Sequence, residues 1–340
     1  MPAVAPPPPA VAVGAQSTSA PAPAESKPMV PEGPKVRDRI VVLGRTRSGK
    51  TVYIARLYQL LWESKGDLRM RACSGVTHTT IVRLWQELTD GKWPAATTAT
   101  DSHSFDLTFQ SREFTMVVSD YPGEVFTRAF MDDLTGAPER QLVDSIDRAQ
   151  AIIFLVDPLV MIGSNLLEDS EQEFGLSQAV KRLRTTPGGE EVPIAIVVTK
   201  YDVVREQVKA AGDVKMFLMH HYPQLVSVAR GGGTMVFSSA AVRTRTSSLG
   251  KSLPDWTAPA RYVEEPLRAC LEKVMRNAEQ TSVRTVFVNK VRIASEERAA
   301  VQVAEEKDRS KANWIVALCF LVLALVVVGG AWWILRGRGD

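Results

Sequence analysis

Short apolar runs alternate with longer amphipathic segments through the middle of the chain. Runs rich in β-branched residues, typical of buried strands, cover residues 38–43, 105–110, 114–119, 151–157, 193–199 and 234–238. Apolar residues recur with helical spacing at 52–61, 77–88, 166–184, 208–221 and 262–278. This alternation predicts an α/β fold with a mainly parallel sheet and helices on both faces. Within it, residues 105–119 are predicted to form an antiparallel hairpin.

Three segments between these elements follow neither pattern. Residues 63–71 are polar, and residues 95–104 form a predicted loop rich in hydroxyl groups. Residues 125–141 are predicted to be mobile, and a short helix then continues to Arg148.

The two ends of the chain differ from this middle section. Residues 1–35 are rich in proline and alanine, which predicts a disordered, solvated tail or a docking arm for a proline-recognising partner. Residues 314–335 are uncharged and apolar, with tryptophans near both limits, and a helix of that length is about 33 Å long. They are predicted to form a transmembrane helix, preceded by a linker and helical stalk at 281–313 and followed by a short tail at 336–340.

The composition limits the classes of binding partner and the cellular compartment that we expect for this protein. The net charge of +3 with 23% charged residues does not indicate a nucleic-acid partner. The cysteines, Cys73, Cys270 and Cys319, show no disulfide or metal spacing, and the four histidines show none either. The N-terminal tail has no apolar core typical of a secretory signal. We therefore expect residues 1–313 to lie in the cytoplasm, with the helix in the inner membrane as a single-pass tail anchor.

A phosphate-binding motif follows the first strand. Residues 44–51, GRTRSGKT, fit G-x-x-x-x-G-K-[ST], with a predicted strand before them and a predicted helix after them. The glycines let backbone N–H groups turn toward phosphate oxygens, and the helix N-terminus adds partial positive charge. Lysine supplies a cation for the phosphates and threonine a hydroxyl for Mg²⁺. The predicted nucleotide contacts are Gly44, Arg47, Ser48, Gly49, Lys50, Thr51 and Val52.

Three further short motifs come at or just after the ends of later strands. They are DYPG at 120–123, TKYD at 199–202 and SSA at 238–240. In an open α/β sheet, ligands bind beyond the carboxyl ends of the strands, so the four motifs are expected at one edge.

The order and placement of these motifs resemble the Ras-like, translation-factor-related class of P-loop GTPases. The resemblance covers a G domain at about 36–280, and within the class it is closest to the bacterial double-GTPase-type proteins of multi-gene defence and signalling systems. It implies GTP and GDP as ligands, Mg²⁺ as the cofactor and a protein effector or regulator as a partner. The lipid bilayer is the other expected partner, through residues 314–335.

The resemblance also implies roles for single residues. Lys50, Gly123 and Glu124 would act in hydrolysis, and Thr51, Thr98 and Asp120 would hold Mg²⁺. Thr98 is chosen over Thr97 and Thr100, which also precede the strand at 105–110. The predicted base contacts are Thr199, Lys200, Asp202, Ser239 and Ala240. The Asp202 carboxylate would accept hydrogen bonds from guanine N1–H and the 2-amino group, and the Ser239–Ala240 backbone would meet guanine O6.

Two residues depart from the family pattern. Thr199 stands where the family has asparagine, and Glu124 stands where many relatives have a glutamine that orients water. Glutamate lacks the amide donor, so slow hydrolysis is expected. Three functions stay open: a membrane-anchored GTPase switch, an ATP-hydrolysing enzyme that uses the same loop, and a nucleotide-binding scaffold without hydrolysis. Arg45 and Arg47 are expected to face solvent or a partner, and the alternative is that they contact the phosphates as internal arginine fingers.

Overall fold

The structure is a computed structural model that describes residues 36–45, 47–95, 101–120, 123–131, 136–231 and 233–281. Several predicted features therefore lie outside the described residues: the N-terminal tail, Thr97, Thr98 and Thr100, the linker beyond residue 281 and the span at 314–335. Within the described residues, no helix combines the length and the apolar character needed to cross a membrane.

A seven-stranded sheet forms the centre of the described region. Five strands, in the order β4-β1-β5-β6-β7, pair in parallel, and β2 and β3 extend the sheet beyond β4. β3 is antiparallel to both of its neighbours. This confirms the mainly parallel α/β sheet with a hairpin at one side. The strands are β1 (Arg39–Leu43), β2 (Leu68–Ala72), β3 (Asp101–Phe109), β4 (Arg112–Asp120), β5 (Ala149–Val156), β6 (Ile194–Val198) and β7 (Met235–Ser238).

Two apolar clusters pack on the two faces of this sheet. Alternate residues of β1 belong to different clusters: Val41 and Leu43 join one, and Ile40 and Val42 the other. Such alternation is expected of a strand buried on both faces. The helices are α1 (Lys50–Trp62), α2 (Gly75–Thr89), α3 (Gly123–Met131), α4 (Ala137–Asp147), α5 (Pro158–Met161), α6 (Leu166–Thr185), α7 (Tyr201–Ala210), α8 (Val214–His221), α9 (Pro223–Ala229) and α10 (residues 265–281).

The structure corrects several sequence predictions. The polar stretch at 63–71 contains most of β2, whose Leu68 and Met70 are buried while Arg69 and Arg71 face outward. Residues 101–104, predicted as loop, belong to β3. The region predicted to be mobile contains most of α3 and the start of α4. The single helix predicted at 208–221 is two helices, because the chain breaks at Gly212, where φ is +102°.

A second, two-stranded sheet was not predicted at all. It is a hairpin of β8 (Arg243–Thr246) and β9 (Ser252–Asp255), and it follows the SSA motif. Arginine and threonine alternate in β8, and all four residues are exposed. Because the strand buries no apolar face, its sequence carries no hydrophobic signal.

Candidate nucleotide-binding site

The phosphate loop joins the buried end of β1 to the first turn of α1. At Gly44 an added Cβ would lie 2.6 Å from the Leu155 carbonyl oxygen, so the loop passes too close to β5 for any side chain. At Gly49, φ is +84°, in the left-handed region that glycine adopts most readily. The two motif glycines therefore serve different purposes, close packing at the first and a left-handed turn at the second.

Lys50 crosses this loop from the start of α1. Its Nζ donates to the carbonyl oxygens of Gly44 at 2.8 Å and of Arg45 at 3.3 Å. Ser48 is fully buried beside it, and its Oγ has no hydrogen-bond partner among the described residues. The buried ammonium group of Lys50 and the buried hydroxyl of Ser48, which has no partner among the described residues, form a donor set that suits a phosphate oxygen.

The two arginines of the loop have different surroundings. Arg47 is exposed, with φ +66°. Arg45 instead donates to the Glu168 carbonyl oxygen and to Glu171 Oε2, each at 3.0 Å. The expectation that both arginines face solvent or a partner is therefore wrong for Arg45, whose charge ties the phosphate loop to α6.

Of the predicted metal and catalytic residues, Asp120 lies on β4, the strand beside β1. Val42 of β1 pairs with Val118 of β4, and continuing that register brings Asp120 level with Gly44. Asp120 ends β4, and Gly123 and Glu124 begin α3. Thr51 lies in the first turn of α1.

The side-chain types of Thr51 and Asp120, a hydroxyl and a carboxylate, fit a magnesium ion. Carboxylate and hydroxyl oxygens are hard donors of the kind that Mg²⁺ prefers, and such an ion takes most of its remaining ligands from phosphates and water. No group of three or more His, Cys, Asp or Glu in the described part of the chain forms a metal cage. A magnesium site that takes ligands from the nucleotide does not require such a group of protein ligands.

The helix that follows the DYPG motif is tied to α4 by an ion pair. Arg128 Nε of α3 donates to Glu139 Oε1 of α4 at 2.7 Å, and the Glu139 side chain is only 3% exposed. The hydrogen bond from Arg128 holds the pKa of Glu139 below its ordinary value. Phe126 of the same helix packs against α6, where an added Cβ on Gly175 would lie 2.9 Å from its ring. α3 is thus held to α4 by a charged contact and to α6 by an apolar contact.

On the other side of the phosphate loop, Thr199 and Lys200 follow β6. Thr199 Oγ1 donates to the Val156 carbonyl oxygen at 3.0 Å, so its hydroxyl ties β6 to β5. Lys200 Nζ lies 2.6 Å from Oδ2 of Asp157, which directly follows β5 and is buried. Asp157 therefore holds the Lys200 ammonium group, and the sequence patterns did not single it out. An aspartate directly after a buried strand, on the same edge as the motifs, was the available signal.

The base-reading candidate, Asp202, has one paired and one unpaired carboxylate oxygen. Oδ2 accepts a hydrogen bond from the Thr244 backbone N–H at 2.9 Å. Oδ1 is buried and has no partner among the described residues. An unpaired buried carboxylate oxygen is costly, and a donor on a ligand would satisfy it.

The SSA motif is largely buried, and its amides have backbone partners. The Ser239 N–H donates to the Val198 carbonyl oxygen at 2.8 Å, and the Ala240 N–H to the Arg261 carbonyl oxygen at 3.1 Å. The next two residues, Ala241 and Val242, line the adjoining cavity. Beside the predicted base contacts Ser239 and Ala240, the cavity is therefore also lined by Ala241, which the sequence patterns did not single out.

A cavity of about 370 Å³ joins these loops. A second cavity of about 620 Å³ lies over the outer strands of the sheet, but none of the four motifs lines it, so size does not identify the site. The smaller cavity is within the usual size range of ligand pockets. Its lining residues are Gly49, Val52, Tyr53, Trp93, Leu159, Thr199, Lys200, Val203, Ser239, Ala241, Val242, Thr244 and Ser252.

The part of the chain that carries the phosphate loop matches a known family. A family model described as Double-GTPase 1 matches residues 41–182, which is less than half of the chain. The match includes the phosphate loop and the DYPG motif. Over those residues the chain is similar to this GTPase family. No curated protein sequence matches it.

Solved structures similar to this chain are distant in sequence. The Arl6 (BBS3) small GTPase from Trypanosoma brucei, with a bound nucleotide analogue, is 17% identical, with a TM-score of 0.37 over 70% of this chain and 98% of its own. The ADP-ribosylation-factor-like protein, small COPII coat GTPase Sar1, from Encephalitozoon cuniculi in complex with GDP is 14% identical. It has a TM-score of 0.37 over 73% of this chain and 84% of its own.

Proposed function

We propose that this protein is a membrane-anchored GTPase switch that binds GTP and GDP with Mg²⁺ and hydrolyses GTP slowly. The observation that carries the proposal is the cavity that joins the phosphate loop, at Gly49 and Val52, to the base-side residues Thr199, Lys200 and Ser239. A phosphate-binding loop alone is compatible with many nucleotides. A phosphate loop that shares a cavity with a TKYD motif favours guanine.

Each residue of the phosphate side has a distinct role in this proposal. Lys50 exchanges its two carbonyl acceptors for the β- and γ-phosphates, and the Gly123 N–H meets the γ-phosphate. Thr51, Asp120 and Thr98 would hold Mg²⁺, which would supply positive charge to the phosphates when bound.

Glu124 accounts for slow turnover. A carboxylate accepts hydrogen bonds but does not donate them, so Glu124 cannot hold a water molecule from both sides as a glutamine amide does. This residue also favours the second candidate function, a nucleotide-binding scaffold that does not hydrolyse. Single-turnover measurements of GTP cleavage distinguish the two.

The membrane part of the proposal rests on the apolar run at 314–335. The stalk at 281–313 would keep the G domain near the bilayer, with the loops that contact the nucleotide accessible to a protein effector or regulator. Nucleotide-dependent capture of partners from a detergent extract addresses that role.

The direct test is a comparison of guanine and adenine nucleotides on the detergent-solubilised full chain. We expect fluorescent GDP to bind at least tenfold more tightly than the matching ADP analogue. Lys50→Ala should weaken GDP binding by several kcal/mol, because its charge-assisted contact to the β-phosphate is lost. Lys65→Ala, at an exposed lysine after α1, is the control and should bind as the wild type does. Equal affinity for GDP and ADP would contradict the guanine assignment, and tight binding by folded K50A would contradict the site.

A further inference from the structure

The β8–β9 hairpin contacts two different parts of the nucleotide cavity. Thr244 of β8 and Ser252 of β9 both line the cavity. β8 packs beside α7, which carries Asp202, and β9 packs beside α2, which leads to Trp93. The hairpin is thus placed to contact both parts of the cavity.

On the α7 side, the hairpin is bonded to the base-reading carboxylate. Thr244 is opposite Pro254 in the hairpin. The Thr244 N–H points out of the two-stranded ladder and donates to Asp202 Oδ2 at 2.9 Å. Asp202 is not among the described residues that line the cavity, although Lys200, Val203 and Thr244 are.

On the α2 side, the hairpin is bonded to the indole of Trp93. Trp93 Nε1 donates to the Ser252 carbonyl oxygen at 3.1 Å, and Trp93 also lines the cavity. The Trp93 residue is 38% exposed, so water can compete for this hydrogen bond.

The C-terminal end of the hairpin is anchored by contacts of an aromatic ring. Trp256, which follows β9, stacks on Trp85 of α2 with ring centroids 6.3 Å apart. The Arg56 guanidinium lies 4.4 Å from the centre of the same Trp256 ring. These contacts fix the C-terminal end of the hairpin, whereas its two strands are held at the cavity by the hydrogen bonds to Asp202 and Trp93.

We propose that the β8–β9 hairpin is a clasp over the base site and that its hydrogen bonds to Asp202 and Trp93 control the rate of nucleotide exchange. This inference rests on the proposed guanine-nucleotide function. A base reaches the Asp202 carboxylate when the hairpin moves aside and the Thr244 N–H releases Oδ2. The same movement is needed for the base to leave.

A clasp and a simple wall have different kinetic effects. Loosening a clasp lowers the barrier to entry and to exit together, so both rate constants rise while the equilibrium affinity changes less. Removing a wall contact weakens the bound state alone, so only the dissociation rate rises. A single hydrogen bond of this kind corresponds to an increase of roughly twofold to tenfold in rate.

The test is stopped-flow measurement of mant-GDP association and dissociation on the full chain, with the mant group excited directly. Trp93→Phe keeps an aromatic ring and deletes the indole donor, and Thr244→Pro deletes the amide donor to Asp202. The matched controls are Trp62→Phe, at a tryptophan that is also 38% exposed, and Thr246→Pro, two residues further along the same strand. Thermal unfolding of each variant establishes that it is folded.

We expect both rate constants to rise at least twofold in W93F and T244P and to stay within error of the wild type in the two controls. A rise in dissociation alone, or no change in either variant, would overturn the clasp while leaving guanine binding intact. If T244P does not fold, W93F decides. A wild-type chain that binds no guanine nucleotide would instead refute the proposed function on which the clasp rests.

Discussion

Single residues in the base site show how a departure from a family pattern is accommodated. Thr199 has a shorter polar group than asparagine, and its hydroxyl reaches the Val156 carbonyl oxygen rather than the phosphate loop. Lys200 is oriented by the buried Asp157 carboxylate at 2.6 Å. Thr199 and Lys200 are thus both held by residues at or just after the end of β5.

Base choice can be tested at Asp202. Asp202→Asn replaces an acceptor oxygen with an NH₂ donor, which faces the donors of guanine unfavourably and suits the 2-oxo group of xanthine. We expect GDP affinity to fall at least tenfold and XDP affinity to rise, measured by competition with mant nucleotides. Asp213→Asn, at the exposed cap of α8, should leave both affinities unchanged. Loss of both ligands in a folded D202N protein would argue against base reading by this side chain.

At the scale of elements, α6 supports the phosphate loop through a charge. Arg45 of the loop is bound by Glu171 and by the Glu168 carbonyl oxygen, both in α6. The guanidinium side chain is 15% exposed, so this ion pair is better shielded from solvent than a surface pair. The position of the loop therefore depends on a helix more than 120 residues further along the chain.

The contribution of this support can be measured at Glu171. We expect Glu171→Gln to weaken GDP binding about threefold to tenfold, because the loop keeps its sequence but loses a charged support. Isothermal titration with GDP measures the change. The control is Glu173→Gln, in the same helix, where the carboxylate accepts from the Gln224 N–H instead of holding the phosphate loop. Equal losses in both variants would indicate a general effect on α6 rather than support of the loop.

The contact between α3 and α4 predicts a dependence of stability on pH. The Glu139 carboxylate has its pKa lowered from an ordinary 4.5, first by the hydrogen bond from Arg128. A lowered folded-state pKa means that the stabilisation is fully present above about pH 4.5 and is lost as the pH falls through the folded-state value.

We expect Glu139→Gln to lower the free energy of unfolding by about 1 kcal/mol at pH 7, and the difference from the wild type to shrink below about pH 4.5. Urea unfolding at several pH values measures both. Glu113→Gln, at an exposed residue of β4, should show neither effect. A difference that is constant with pH would mean that the charge of Glu139 does not contribute.

At the scale of the whole molecule, the nucleotide domain is one part of a longer chain. Residues 314–335 carry the predicted membrane span, and Lys307, Arg309 and Lys311 precede it. Basic residues beside a span favour the cytoplasmic side. Arg336 and Arg338 oppose this bias, because they would have to cross the bilayer.

The predicted topology has a direct test. Protease added to intact cells or spheroplasts should leave the G domain uncut, because it is expected to face the cytoplasm. Deletion of residues 314–340 should move the protein to the soluble fraction after a salt wash. Digestion from outside, or a truncated protein that still sediments with membranes, would refute the tail-anchored model.

The sequence by itself determined those parts of the protein whose signal is local. The phosphate loop was predicted because its glycines, lysine and threonine lie within eight consecutive residues, 44–51. β1, β5 and β6 were predicted because strands buried on both faces are continuously apolar. β2 was missed because arginines alternate with its two buried residues, and in five residues such an alternation is a weak signal against the adjoining polar stretch.

Only the tertiary structure decided which distant groups meet. Asp157 and Lys200 are 43 residues apart, Asp202 and Thr244 are 42 apart, and Trp93 and Ser252 are 159 apart. No local pattern encodes these pairs, because each depends on how strands and loops pack once the sheet has formed. The sequence therefore determined that a nucleotide loop exists, and the packing of the sheet decided which residues surround the base cavity beside it.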